Sequence, residues 1–439
     1  MKKAQDYANA IAVRHPRRTL KFAALGMGLV ILTTALFGCG IPEPVQADTL
    51  AAPGKIKEGV RYEDISEAFR QSLWAFADKT SASVLTEFQD KNSLYSPISL
   101  YYALAMLEAG AANATKSNLR SFMEVSGSLE IGGDLRNLYA LMTVDRKKSA
   151  EQIANAIWFR EDLLSDSQKW IKQDWLDQLS NDFYASAFSV DFSKPETAKR
   201  MSGWVEAQTK GKIKPDIDVS DPLLLMVLMN TLYFKADWAT PFERDHIEKK
   251  SFHGVTEEIK DVDFLKQTFR SLEGLIDERF KAIALPLANG QIDFILSAEG
   301  ISPEELLSDR SFLVSLNDGE RRTFDVDLLL PKFSYKTKVD ILESMEKLGL
   351  KSIVADRPDF SAMFNLDAEV SAITQETFIA LDESGVEAAA YTEIQMRFGA
   401  FLDDREQIEM TLDRPFIYVI SDGAGVPLFV GVVRNPLAG

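Results

Sequence analysis

Few side chains in this sequence could do chemistry. His15, His246 and His253 are its only imidazoles, and Cys39 is its only thiol. A histidine serves hydrolysis as the base beside a serine or cysteine nucleophile, or binds zinc at a short fixed spacing. His246 and His253 have no such neighbours and read as ordinary surface or strand residues. G-x-S-x-G, the phosphate-binding P-loop and G-x-G-x-x-G are all absent. An acidic surface accounts for the 66 Asp and Glu residues without a catalytic carboxylate pair. No metal and no cofactor are implied, and the chain reads as a non-enzyme. Its formal net charge of −17 argues against nucleic acid, which needs a basic face. Such a surface suits a soluble exported monomer.

One stretch has a pattern that needs explaining. "GVEAAAYTEIQMRF" spans 385–398. In steps of two, Val386, Ala388, Ala390, Thr392, Ile394, Met396 and Phe398 are small or apolar. Between them, Glu387, Ala389, Tyr391, Glu393, Gln395 and Arg397 carry nearly all the charge. That alternation is the mark of a half-buried strand. Yet it runs directly into "GAFLDDREQ", which is small and then polar, like an exposed loop.

The elements around it form one large domain. The chain has 439 residues, 46% hydrophobic and 26% charged, enough for a large core without disulfides. "ISEAFRQSLWAFADKTSASVL" (65–85) places Ile65, Phe69, Leu73 and Phe76 on one helical face. "SPISLYYALAMLEAGA" (96–111) predicts a buried helix, with Ser96 as cap and Pro97 in its first turn. A third helix is predicted over 168–183 and an amphipathic one over 339–350. "LLLMVLMNTLYF" (223–234) predicts a central strand covered on both faces. Further strands are predicted over 280–287, 291–298, 322–333, 407–412, 415–422 and 427–435, with "DGAG" (422–425) as a hairpin turn. Helices first and strands later, without strict alternation, predicts α+β.

Residues 1–38 read as an export signal: a basic start, then the apolar "FAALGMGLVILTTALFG" (22–38). "LFGC" (36–39) resembles the lipobox of bacterial lipoproteins, although Phe37 departs from the usual small or branched residue. The resemblance implies that Cys39 is lipidated and holds the protein at the cell surface or the outer face of a bacterial membrane. An uncleaved anchor and plain secretion are the alternatives; all three export the chain. The proline-containing 39–60 is expected to be a flexible tether, and 61–439 the folded domain.

Several separated motifs resemble the serpin family. They are "NSLYSPISLYYALAMLEAGAANATKSNL" (92–119), "ANAIWF" (154–159) and "WVEAQTKGKIKPDI" (204–217). "NTLYFKADWATPFE" (230–243), "LLLPKFS" (328–334) and "RPFIYVI…PLFVGVVRNP" (414–436) follow in family order. "DESGVEAAAYT" (382–392) is similar to the serpin hinge. The resemblance implies helices on three β-sheets and an exposed reactive-centre loop over about 383–406. It also implies a suicide-substrate inhibitor of serine proteases. The target attacks a loop bond and forms an acyl-enzyme, and the cut loop enters the main sheet as a new strand. The alternation in 385–398 would then be written for that second state. Burying three or four sizeable apolar side chains at ~1.5–3 kcal/mol each supplies on the order of 5–12 kcal/mol. The uncut fold would be held kinetically. The alternative is a non-inhibitory serpin-fold binding protein at the cell surface.

The same resemblance implies the site residues. Glu383, Gly385, Val386, Glu387, Ala388, Ala389, Ala390 and Thr392 form the hinge. Asn92, Ser96, Ser99, Asn230, Trp238, Lys332 and Gln375 belong to the region where the sheet opens. Glu383 and Lys332 are expected to pair. Gln375 stands where many serpins have a histidine bonded to the position of Asn230, and Ala236 stands where glycine is usual. Counting the family's fourteen residues from Gly385 places the reactive bond at Gly399–Ala400, with Phe398 and Arg397 as alternatives. An elastase-, chymotrypsin- or subtilisin-like target is favoured, and a trypsin-like one is the alternative.

Overall fold

A computed structural model describes residues 48–164, 170–387 and 405–438. The helices are α1 (Glu67–Leu85), α2 (Pro97–Gly110), α3 (Asn113–Phe122), α4 (Ile131–Leu141), α5 (Gln173–Asp182) and α6 (Pro195–Gln208). Shorter ones follow: α7 (Pro303–Ser308), α8 (Phe312–Asp318), α9 (Ile341–Ser344) and α10 (Leu350–Val354). Ser96 caps α2 as its sequence predicts, accepting a hydrogen bond from the Ser99 amide, with Pro97 in the first turn. Every residue of α2 but Ala103 is buried. A helix apolar on all sides needs cover on all sides, and here it has it.

The main sheet runs in the order β1 (Asp48–Ala51), β5 (Ala185–Val190), β4 (Ser149–Arg160), β6 (Met226–Asp237), β14 (Gly385–Val386), β13 (Thr374–Leu381), β12 (Phe333–Asp340). β3 (Thr143–Asp145) pairs with β4. One face covers the core around α1 and α2; α6 lies on the other, its Met201 packed with Trp158 and Phe192. Strand parity is clean at the far edge: β12 buries Phe333, Tyr335, Thr337 and Val339 and exposes the residues between them.

The other strands form a second sheet. Its order is β15 (Gln407–Thr411), β11 (Arg322–Pro331), β8 (Glu258–Ile276), β9 (Phe280–Pro286), β10 (Gln291–Ser297), β16 (Phe416–Ser421), β17 (Pro427–Val433), β2 (Ser93–Tyr95). β7 (Ile247–His253) pairs with β8. The strands expected in three sheets therefore form two hydrogen-bonded ones among the described residues. The reason is β8, whose 19 residues pair with β7 and β11 along most of their length and with β9 at the end. α+β stands as the class.

Local expectations change where tertiary contacts compete. The tether expected over 39–60 is docked in its described part: β1 pairs with the edge of β5, and the Gly54 amide donates to Ser180 O at 3.1 Å. An open strand edge offers unpaired backbone groups, which a short alternating segment satisfies. The helix predicted over 168–183 begins only at Gln173, because Ile171 and Lys172 pair in extended form with Phe364 and Met363. The helix predicted over 339–350 is broken: Val339 belongs to β12, and Gly349 (φ 85°) separates α9 from α10. β6 starts at Met226 and is only half-buried as far as Asn230, not covered on both faces throughout. No described helix is long and apolar enough to cross a membrane.

Candidate functional site

The main sheet has a defect at its centre. β6 and β13 are not hydrogen-bonded to each other; the two residues of β14 lie between them. Gly385 pairs with Asp237, and Val386 pairs with Ala236 on one side and Leu381 on the other. Beyond Val386, Glu387 donates its amide to Ala380 O and then turns away at φ 50°. That left-handed conformation is unfavourable for a residue with a Cβ, so neighbouring contacts must hold it. The hinge was expected to be exposed in the uncut molecule. Instead, Gly385 and Val386 already occupy the sheet, and Val386 is 3% exposed.

Residue types explain the entry point. A Cβ at Gly385 would lie 2.3 Å from Ala236 O and 2.7 Å from Asp237 Cα, so only glycine fits. Val386 faces inward, as its parity predicts. It borders a small cavity lined by Phe234, Ile379, Ile420 and Phe429. Glu387 is on the outer face but is not free: Tyr233 Oη donates to its carboxylate at 3.1 Å, and Lys212 Nζ lies 3.1 Å away. Burial and this carboxylate together push the Tyr233 phenol well up. Lys212 also lies over the Phe378 ring at 5.2 Å. The turn that presents Lys212 is built by Thr209, whose hydroxyl donates to Val205 O and accepts from the Ile213 amide, and by Gly211 at φ 81°.

The hairpin leading into β14 is fastened at several points. Trp238, 2% exposed, donates its indole N–H to Asp382 O at 2.9 Å and its amide to Ser384 O at 3.0 Å. The Phe242 amide donates to Glu383 O at 3.1 Å. The expected ion pair is present: Lys332 Nζ lies 2.8 Å from the Glu383 carboxylate, both side chains being less than one-third exposed. After the loop, Arg405 Nε donates to Asp325 at 3.1 Å; Arg405, first of its hydrogen bonds, holds the Asp325 carboxyl below its usual range.

The deeper sheet-opening residues separate into two groups. Gln375 accepts from the Ser96 amide at 2.8 Å and donates to Ser96 O at 2.9 Å. The Ser96 hydroxyl donates to Leu428 O and, at the helix cap, accepts from Ser99. Asn92 accepts from the Arg434 and Asn435 amides and donates to Asn435 O and Ala438 O, fastening the carboxy terminus. Asn230 lies across the gap and does not meet Gln375. Its amide donates to Asn155 Oδ1 at 2.7 Å, while its own Oδ1 is buried and has no partner among the described residues. The separation follows from β6 and β13 not being paired with each other among the described residues. Asn155, Tyr233 and the role of Lys212 were not predicted. Tyr233 sits inside a continuous apolar run, where nothing marks one hydroxyl as special.

His246 and His253 lie at the start and end of the β7 region, His246 beside Glu243. Ala388, Ala389, Ala390, Thr392, Arg397, Phe398, Gly399, Ala400 and Cys39 lie outside the described residues.

The clamp on Glu387 makes a measurable prediction. Lys212→Ala should cost the hinge about 0.5–1 kcal/mol, as expected for a partly exposed ion pair. The Val386 and Glu387 amides should then exchange with deuterium roughly two- to fivefold faster, with no change at Ser96. Unchanged exchange would show that Lys212 does not help to hold Glu387.

A sheet whose central strands β6 and β13 do not pair among the described residues, with Gly385 and Val386 of the hinge lying between them, has the layout of a strand-accepting protein. The family model described as Serpin (serine protease inhibitor) matches residues 71–436. The chain belongs to the serpin family. An uncharacterized serpin-like protein of Methanosarcina mazei is 27% identical, covering 86% of this chain and 89% of its own. Alpha-1-antiproteinase S of Cavia porcellus is 26% identical, covering 84% and 91%. The thermophilic serpin tengpin in its native state superposes with a TM-score of 0.75 at 26% identity, covering 89% of this chain and all of that one. Serpins are in general protease inhibitors rather than enzymes.

Proposed function

We propose that the domain inhibits serine proteases as a suicide substrate, trapping the acyl-enzyme by insertion of the cut loop. The observation that carries this reading is the position of β14: Gly385 and Val386 lie between β6 and β13, paired in register with both strands, which do not pair with each other among the described residues. Continuing that register places Ala388 between Phe234 and Ile379, and Thr392 between Asn230 and Gln375. Both of the first pair are inward-facing and buried. The small hinge residues then enter without overpacking. The chain supplies a bait bond, at Gly399–Ala400 or one to two residues earlier, together with a hinge and a held sheet. The protease supplies the nucleophile. Insertion displaces the tethered enzyme before water can release it.

The test is incubation with chymotrypsin, elastase, subtilisin and trypsin. A denaturant-stable complex with at least one of the first three is expected, and mass analysis of the released peptide locates the cut. Cleavage without any complex across the panel would instead favour a serpin-fold binding protein. For localisation we propose a lipid on Cys39, holding the domain at the cell surface or the outer face of a bacterial membrane. Cys39→Ala should leave the membrane fraction or block processing. A wild-type amino-terminal peptide without lipid mass would refute the anchor.

A further inference from the structure

We propose that Glu151 and Asp422 hold one proton between them and act as a pH-sensitive latch joining the main sheet to the β16–β17 hairpin. Glu151 is on the inward face of β4 and is 3% exposed; Asp422 follows β16 and is 4% exposed. Asp422 Oδ1 accepts from the Ala424 and Val426 amides at 2.9 Å each. Its Oδ2 is buried and has no partner among the described residues. An unpaired buried carboxylate oxygen is costly and calls for a donor.

Among the described residues no amide or hydroxyl reaches this oxygen, and a proton shared with a neighbouring carboxyl would serve it. Asn289 donates its amide to Glu151 and accepts from the Tyr62 hydroxyl; Arg146 donates to the same Asn289 oxygen at 3.5 Å. Gly290 brings this turn against Asp422: a Cβ there would lie 2.8 Å from Asp422 Cα. Arg146, from the β3–β4 turn, acts on Glu151; Arg70, from α1, acts on Asp422, which also faces the Tyr102 phenol of α2. Neither arginine offsets the burial. Burial, and next the Asp422 charge, push the Glu151 carboxyl up to about 8; burial pushes Asp422 up to about 6. Two buried carboxyls that repel when both are ionised retain a proton at neutral pH.

The latch lies where the sheet opens. Glu151 is opposite Phe234 across β4 and β6, and Phe234 borders the space just beyond Val386. The folded-state affinity for protons exceeds that of an opened state, so opening releases protons. The stabilisation is complete below the ordinary carboxylate range and is lost as pH rises through about 8. The proton pair stands without the insertion reading; its effect on insertion rests on it.

Infrared spectroscopy tests the pair in the native protein. A protonated-carboxyl carbonyl band is expected near neutral pH, fading through about pH 8. Glu151→Gln should lack it. In Asp422→Asn it should titrate at lower pH, since the Asp422 charge that raises Glu151 is gone. The denaturant-unfolding rate, followed by tryptophan fluorescence, should rise with pH by up to about tenfold per unit as far as about pH 8 in wild type, and level off above about pH 6 in Glu151→Gln, where only Asp422 is left to titrate. No neutral-pH band in wild type, or an unchanged band in Glu151→Gln, overturns the latch. Loss of protease complexes with the band intact would count against the insertion reading only.

Discussion

Ala388→Asp is expected to turn the inhibitor into a substrate, while Ala389→Asp remains largely inhibitory. Position 388 is two residues past Val386, which already faces inward at 3% exposure. In the register set by β14, an aspartate there would arrive between Phe234 and Ile379, 6% and 4% exposed. It would have to be buried unpaired or take up a proton, at a cost of several kcal/mol. Insertion competes with deacylation, and each ~1.4 kcal/mol on its barrier slows it tenfold. Complex should fall by about a hundredfold or more while cleavage continues. At 389 the same register gives Tyr233 and Phe378 as neighbours on the outer face. There Lys212 and Lys336 lie within 5.2 and 5.9 Å of the Phe378 ring and would receive the charge. Gel quantification of complex against cleaved chain reads both variants. Equal loss, or equal retention, would refute insertion by two-residue alternation.

Glu383→Lys is expected to loosen the head of the sheet and promote polymers. The substitution removes the carboxylate 2.8 Å from Lys332 and puts two ammonium groups together. With both side chains less than one-third exposed, the reversal should cost about 1–3 kcal/mol, less than in a dry interior. The effect is large because of position. Glu383 lies in the hairpin that carries Gly385 into the sheet, and freeing that hairpin opens the edges of β6 and β13 to another chain. Mild heating followed by size-exclusion chromatography should show polymers at temperatures the wild type withstands. The double variant Lys332→Glu with Glu383→Lys should recover much of the loss. An unchanged elution profile for Glu383→Lys would rule out the pair as a fastener.

Much of this molecule was legible because its cues are local. Ser96 and Pro97 start α2 through a cap and a fixed φ, and both act within one turn. The parity of 385–398 placed Val386 inward before any partner strand was known, because side chains alternate along any extended chain. Gly385 and the Lys332–Glu383 pair came from family motifs, as did Asn92, Ser96, Asn230 and Gln375 as a set. In the structure Gln375 bonds to the Ser96 backbone and Asn230 to Asn155, not to each other.

Composition, period and motif order determined the α+β class, the family and the inward face of the hinge. These rest on steric preferences and burial patterns within a few residues of each other. Only the tertiary structure decided that Gly385 and Val386 lie between β6 and β13, because that depends on those two strands not pairing with each other and on the grip of Tyr233 and Lys212 on Glu387. It also decided that Asp48–Ala51 adds a strand at the edge of β5, and that Glu151 comes within electrostatic reach of Asp422, 271 positions further along the chain. Such contacts are set by which surfaces remain unpaired once the core has closed, and no short stretch of chain encodes that.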